Sequence, residues 1–378
     1  MDAVSRRSLL KALGSTGIAP DAALAFQGQA VEQAAAPARE PEKPKHSIRF
    51  SVIGLDHIHV NFLTDAVRRG GGELVSVQST NQPALAAYQR RYPGVRVASS
   101  EDEILNDSSI QLVCSAAIPD LRAPLGVRAM RHGKDYLSDK PAMVSLAQLA
   151  EVRRAIRETG RIFAILYSER FEVRAAVHAS ELVKAGAIGK VVQMVNLAPH
   201  QLNEPIRPEW FWDPARYGGI LCDIGSHQVD EFLHYTGSRN AEVVASQVAN
   251  VNHSHRPKFQ DFGDMMLRGD GGFGYVRLDW FTPNGLGTWG DGRTFIVGTE
   301  GYMEVRKYAD IAGRRGANHL FVVDRKQTRY IDCSNVELPF GPQFVGDIVN
   351  RTHVAQDQEM ALLAAELAMK AQRDARVL

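Results

Sequence analysis

The chain has 378 residues, more than one compact core usually holds, so two domains are expected. Its 44 Lys plus Arg against 43 Asp plus Glu leave a formal charge of +1, which excludes a globally basic nucleic-acid binder and any general attraction to anionic membranes. With 44% hydrophobic and 23% charged residues, the composition is that of a globular chain, and no run of about 18 apolar residues marks a transmembrane helix. Cys114, Cys222 and Cys333 lie far apart; they form no C-x-x-C pair and read as small buried hydrophobes.

Residues 1–46 differ from the rest and are set aside from the fold. Ser5-Arg6-Arg7-Ser8-Leu9-Leu10-Lys11 has the pattern of a bacterial twin-arginine export signal, and Ala23-Leu24-Ala25 suits a signal peptidase. Asp21 inside the weakly apolar stretch counts against it. The run from Ala34 to Lys45 reads as a linker. The expectation is a periplasmic protein, or a cytoplasmic one if the leader is not functional. The periplasm has no free nicotinamide pool, so such a cofactor would travel already bound, and tightly.

From Ser47 strands and helices alternate. Ile48, Phe50, Val52 and Ile53 make an apolar strand ending at Gly54, and Phe62, Leu63, Ala66 and Val67 follow at helical spacing. Gly70-Gly71-Gly72 ends that helix, Leu74–Val77 is the next strand, and Pro83 opens a helix where a missing amide donor costs nothing. Strands over Ile110–Cys114, Asp135–Ser138 and Ile162–Leu166 alternate with helices over Leu121–Arg131 and from Leu146 to the stop at Gly160. This predicts an α/β fold over 47–168, a Rossmann-like doubly wound parallel sheet. Helices are expected over Val173–Lys184 and Ser226–Tyr235, and strands dominate from Val191 to Ile331, with turns at Arg268–Gly272 and Gly298–Gly301. That pattern predicts an α+β domain over 169–340 with a large, mostly antiparallel open sheet. A helix from Gln356 to Asp374, striped by Met360, Leu363, Ala364, Leu367 and Ala371, closes a C-terminal segment, 341–378, that packs back on the core.

Three segments follow one another at long intervals: His132-Gly133-Lys134-Asp135-Tyr136-Leu137-Ser138-Asp139-Lys140-Pro141, then Gly186-Ala187-Ile188-Gly189-Lys190, then Gly218-Gly219-Ile220-Leu221-Cys222-Asp223-Ile224-Gly225-Ser226-His227-Gln228-Val229-Asp230. In that order they resemble the glucose–fructose oxidoreductase/inositol dehydrogenase (Gfo/Idh/MocA) family. Its patterns there are G-K-H-V-x-x-E-K-P, a helix-to-strand turn, and G-G-x-L-x-D-x-G-x-H-x-x-D. Arg170-Phe171 and Ile296–Gly301 fit as well, and the resemblance covers nearly everything from Ser47 onward. It implies a nucleotide-binding domain followed by an open-sheet domain, in agreement with the alternation above. It also implies an NAD(P)-dependent oxidoreductase acting on a secondary alcohol of a sugar, cyclitol or related polyol and, by analogy alone, a homo-oligomer.

Lys140 lies just past a strand end, on the edge where open α/β sheets bind ligands. A lysine there can hold a substrate hydroxyl and pass its proton. Asp223 and His227 are four apart, and a helix beginning at Ser226 places both at one entrance. Histidine titrates near neutrality and can take a hydroxyl proton while hydride leaves the carbon. By the resemblance, His227 is the acid/base, Lys140 assists at the same hydroxyl, and Asp223 orients the imidazole or grips a neighbouring hydroxyl. Further candidate substrate contacts are Tyr167, Glu169, His200, Trp210, Trp212 and Arg216: tryptophan suits stacking on a sugar face, and arginine suits a carboxylate.

The expected cofactor contacts are Gly54, Leu55, His57, Ile58, Ser79, Thr80, Ala116, Pro119 and Lys140. The loop Gly54-Leu55-Asp56-His57-Ile58-His59 keeps only the first glycine of G-x-G-x-x-G; Asp56 brings a like charge towards a pyrophosphate, and His59 is bulky. The second strand ends Gln78-Ser79-Thr80-Asn81, with no acid for the ribose hydroxyls, so NAD and NADP both stay open. Arg122 stands where the family often has histidine and offers a phosphate contact. Asp56, His57 and His59 also match a short metal-ligand pattern, but structural or hydrogen-bonding histidines are the reading adopted, and no metal is expected. Two other functions stay in play. One is a redox-neutral or metal-assisted carbohydrate hydrolase or lyase, which the altered loop favours; the other is a non-catalytic sugar-binding protein, which the intact Lys140, Asp223 and His227 oppose. No nucleic-acid partner and no stable membrane insertion are expected.

Overall fold

The computed structural model describes residues 31–36 and 43–378; the arginine pair within Ser5–Lys11 and the Ala23–Ala25 site lie outside the described residues. The first element is a short strand, β1 (Glu32–Ala35), which pairs in parallel with residues Arg329–Asp332 of the second sheet. It corrects the start of the linker reading, since Ala34 and Ala35 are paired backbone. A sheet edge offers free N–H and C=O groups to any extended segment, so pairing there needs no apolar pattern.

Strands of a parallel sheet covered on both faces read as apolar runs, and the first sheet is built from such runs. β2 (Ile48–Ile53), β3 (Gly72–Gln78), β4 (Arg96–Val97), β5 (Leu112–Ser115), β6 (Asp135–Asp139) and β7 (Phe163–Leu166) lie in the order β4-β3-β2-β5-β6-β7. Every pairing in this sheet is parallel. The order reverses between β2 and β5, so the loops after these two strands face one crevice at the carboxyl edge. Gly54 makes the turn out of β2 at φ +82°, and a Cβ there would lie 2.5 Å from the Ala117 Cβ of the neighbouring loop. Gly54→Ala therefore costs about 1–3 kcal/mol through backbone strain and clash. The urea midpoint measures this, and an unchanged midpoint contradicts it.

The helix Val60–Arg69 buries Val60, Leu63, Ala66 and Val67 against the sheet. The helix Phe340–Asn350 packs across it, and Gly341 permits the approach: a Cβ there would sit 2.0 Å from the Ala66 carbonyl oxygen. Apart from its first residue, this helix falls within the expected C-terminal helical segment, 341–378, but its bounds could not be drawn from the sequence because Gly341, Pro342 and Gly346 interrupt the pattern.

The second sheet has ten strands: β1, β8 (Val191–Pro199), β9 (Ala241–Ala249), β10 (Phe262–Gly269), β11 (Phe273–Asp279), β12 (Arg293–Gly298), β13 (Gly301–Arg306), β14 (His319–Asp324), β15 (Thr328–Asp332) and β16 (Arg376–Val377). Their order is β1-β15-β14-β13-β12-β8-β11-β10-β9-β16, and only β1·β15, β8·β11 and β9·β16 run parallel. The helix Gly225–Thr236 packs on β8 and β11, and the helix Gln358–Asp374 packs on β9. The second helix also touches β7 and the helix Leu146–Thr159, so it joins the two sheets into one body. Among the described residues no helix is long and apolar enough to cross a membrane.

Candidate active site

The crevice at the carboxyl edge of the parallel sheet opens into a cavity of about 700 Å³. Two chain segments far apart in sequence meet on its wall. Lys140 follows the end of β6, and its buried Nζ donates to Asp223 Oδ1 and to the Asp223 carbonyl oxygen, each at 3.1 Å. Burial alone would raise the Asp223 carboxyl, but the Lys140 ammonium outweighs it and holds the carboxyl below its ordinary range. His227 sits in the first turns of the helix Gly225–Thr236 and is only 2% exposed. Its Nδ1 is buried with no protein partner. Burial, followed by the charges of Lys140 and Lys307, overrides Glu169 and keeps the imidazole neutral, well below the usual histidine range. Asp223 thus pairs with Lys140 rather than with His227, and it borders the cavity, where its carboxylate also reaches a neighbouring hydroxyl position.

A second buried group stands behind the histidine. Lys307 Nζ donates to Glu169 Oε2 and Glu231 Oε1, both at 2.6 Å, and Gln228 Nε2 donates to Glu169 Oε2 at 3.0 Å. Burial pushes both carboxyls up; Lys307 overcomes that for Glu169, down to about 2, but not for Glu231, which stays raised. Neither Lys307 nor Glu231 was singled out from the sequence.

The far wall is aromatic. Trp210, Phe211, Trp280, Trp289 and Tyr308 line it together with His200. The His200 and Trp289 rings are 4.6 Å apart, and the Arg207 guanidinium lies over Phe211 and Trp280.

The structure sorts the expected contacts. Lys140, Asp223, His227, Glu169, His200 and Trp210 all border the cavity, as do His57, Ile58 and Pro119. Three expected substrate contacts do not. Tyr167 is buried and spends its hydroxyl on the Ala361 carbonyl; Trp212 packs against Phe211 and Phe259; Arg216 lies 2.6 Å from Asp120. Gly54, Leu55, Ser79, Thr80 and Ala116 lie on the same sheet edge but outside the cavity wall. Arg122 is not free for a phosphate: it is 1% exposed, and it donates to the carbonyls of Ala117, Lys140 and Pro141 and pairs with Asp139 at 3.0 Å.

The edge nonetheless fits a dinucleotide. The helix Val60–Arg69 begins at His59 with no side chain capping its first turn, which suits a diphosphate. Asn81 holds Asp56 at the end of β3, donating to its Oδ1 at 3.4 Å, and Thr80 is exposed beside them.

Comparison with known proteins agrees. The family model "Oxidoreductase family, NAD-binding Rossmann fold" matches residues 48–167, and "GFO/IDH/MocA C-terminal domain" matches residues 176–304. The chain belongs to the Gfo/Idh/MocA family. Like other Gfo/Idh/MocA proteins it is an oxidoreductase with an NAD-binding Rossmann domain. It is 29% identical over 213 residues to the 1,5-anhydro-D-fructose reductase of Ensifer adhaerens, covering 54% of this chain and 60% of that protein. It is 23% identical over 307 residues to the scyllo-inositol 2-dehydrogenase (NAD(+)) of Bacillus subtilis, covering 78% and 85%. A crystal structure from Erwinia carotovora atroseptica, whose name goes no further than oxidoreductase, shares 43% identity at a TM-score of 0.85, over 88% of this chain and 99% of that one. Levoglucosan dehydrogenase in complex with NADH and levoglucosan shares the fold at a TM-score of 0.72 and 16% identity, over 86% and 97%.

The histidines at the cavity also set an acid limit on stability. Burial lowers His57 to about 3 and His200 to about 4, and it lowers His227 as well. In the unfolded chain these groups protonate near 6.5, so below that pH the unfolded state binds more protons. Stability is therefore full above pH 6.5 and falls as the pH drops towards the folded values. Urea midpoints across that range test this; a midpoint that rises on acidification contradicts it.

Proposed function

We propose that the protein is an NAD(P)-dependent oxidoreductase acting on a secondary alcohol of a sugar, cyclitol or related polyol, with tightly bound cofactor. The observation that carries this reading is the placement of a neutral buried imidazole and a buried Lys–Asp pair on one aromatic-walled cavity at the sheet's reversal point. A bound nicotinamide supplies the hydride acceptor. Lys140, anchored by Asp223, holds the reacting hydroxyl. His227, already neutral, takes its proton without first losing one of its own. The tryptophans exclude water and present flat faces to a sugar ring. The names of the relatives, an anhydrofructose reductase, an inositol dehydrogenase and a levoglucosan dehydrogenase seen with its sugar, support this substrate class.

Export by the twin-arginine route and self-association belong to the same proposal. Phe273, Val297 and Tyr302 are exposed in one row of the second sheet that runs through Gln193, and Met266 is exposed on the same face opposite Tyr275, which supports a homo-oligomer.

The test incubates the purified chain with NAD⁺ or NADP⁺ and a panel of inositols, aldoses and anhydrosugars. Reduced nicotinamide forms with the wild type and falls at least about tenfold in kcat/KM for Asp223→Asn, which loosens Lys140. Carbohydrate cleavage with no net reduction of nicotinamide would favour the second reading, a hydrolase or lyase, for which the histidines in the glycine loop speak.

A further inference from the structure

The short metal-ligand pattern in the sequence, not adopted there as a site, groups the two loop histidines with Asp56. The structure gives them another partner. His57 Nδ1 lies 2.7 Å from Asp139 Oδ2, and His59 Nδ1 lies 3.0 Å from Asp139 Oδ1, while Asp56 is held by Asn81. We propose that His57, His59 and Asp139 form a binding site for one divalent transition-metal ion of the zinc class. One ligand atom from each lies within 4.8 Å of those of the other two. Two imidazole nitrogens and one carboxylate oxygen are the donor set that such borderline ions take.

The site is built rather than accidental. Asp139 is fully buried, and its carboxylate is fixed from behind by Arg122 Nη2 at 3.0 Å and by the Lys140 backbone N–H at 2.8 Å. Such outer contacts orient a ligating carboxylate. The two imidazole rings stand 4.2 Å apart, centroid to centroid. Each now directs a ring nitrogen at the same carboxylate. On binding, the hydrogen that each Nδ1 shares with the carboxylate moves to that ring's Nε2, which frees both Nδ1 atoms and one carboxylate oxygen for the ion. The His57 and His59 side chains are 22% and 17% exposed and border the cavity, whereas Asp139 has no exposure. Ion entry and the open coordination position are therefore on the cavity side. His227 lies there too, its ring 6.2 Å from that of His59. The chain carries the two histidines on the loop that keeps only one of its pattern's three glycines. A metal at this place puts a Lewis acid beside Lys140 and His227, able to grip a substrate oxygen.

The test uses the metal alone and needs neither substrate nor dinucleotide, so its failure is separate from failure of the oxidoreductase reading. The full chain is stripped with a chelator, dialysed and titrated with Co²⁺ while visible absorption is followed. Zn²⁺ is then counted by mass spectrometry after equilibrium dialysis. The proposal expects one saturable equivalent per chain, a cobalt band that Zn²⁺ displaces, and affinity lowered about 100-fold in the His57→Gln/His59→Gln variant. Asp56→Asn keeps wild-type affinity. If the double variant fails to fold, the single His59→Gln variant carries the test, with affinity lowered about tenfold or more. No saturable uptake by the wild type overturns the site, as does uptake by the folded histidine variant equal to wild type.

Discussion

Replacing His227 with asparagine lowers kcat for alcohol oxidation by about 10²–10⁴-fold, the usual contribution of a positioned general base. Asparagine keeps much of the shape and a polar group but cannot accept and carry the proton. His227 borders the cavity with a buried Nδ1 that no protein group engages, so its loss strands little else. KM and dinucleotide binding change far less than kcat. The wild-type pH profile bears the same signature. Oxidation needs the neutral imidazole, and burial with Lys140 and Lys307 holds it neutral below 6.5. The acid limb of kcat/KM therefore lies below the ordinary histidine range, and the limb vanishes in His227→Asn. Steady-state rates against pH measure both effects. A variant that keeps more than about a tenth of kcat removes His227 from the chemistry.

Lys307→Met unfolds the protein more readily by about 3–5 kcal/mol, because it leaves buried carboxylates without their counter-charge. The Lys307 and Glu231 side chains have no exposure and Glu169 has 4%, so solvent does little to screen the loss. The doubly substituted Lys307→Met/Glu231→Gln chain recovers part of that cost, since one of the stranded charges is gone. A functional trace accompanies the structural one. Lys307 is among the groups that lower His227, and Glu169 is the one that raises it. Without Lys307 the acid limb moves to higher pH. Urea denaturation and the pH profile read the two effects separately. A cost below about 1 kcal/mol would show that the triad is not a paired buried network.

The first domain was legible because its parallel strands are apolar runs between helices of clear period, with Gly54 and Gly160 as stops. The second was legible in outline from its turns at Gly269–Gly272 and Gly298–Gly301. What escaped was the two-residue β4 and the edge strand β1, too short to show a period, and a helix whose Phe340, Phe344 and Ile348 spacing is masked by Gly341, Pro342 and Gly346. In the site, Lys140, Asp223 and His227 stood in recognisable segments. Their pairing did not, because a spacing of four residues suggested an Asp–His couple while the fold brings Lys140 to Asp223 from 83 residues away. Lys307 looked like any surface lysine at the end of a strand; only the meeting of Glu169 and Glu231 around it reveals a buried ion. Tyr167, Trp212 and Arg216 had the right chemistry for a sugar, but each is engaged elsewhere. Asp139 sat in view beside Lys140, and nothing local in the sequence tied it to a loop 80 residues earlier.

The most direct test of the central claim is equilibrium titration of the purified full chain with NAD⁺ and with NADP⁺, after denaturing a portion to release and identify by mass spectrometry any dinucleotide it already carries. The account predicts a dinucleotide bound on purification or saturable binding of at least one of the two, retained in His227→Asn. A chain that carries neither and binds neither would contradict it, and would leave the cavity around Lys140, Asp223 and His227 to chemistry without a nicotinamide.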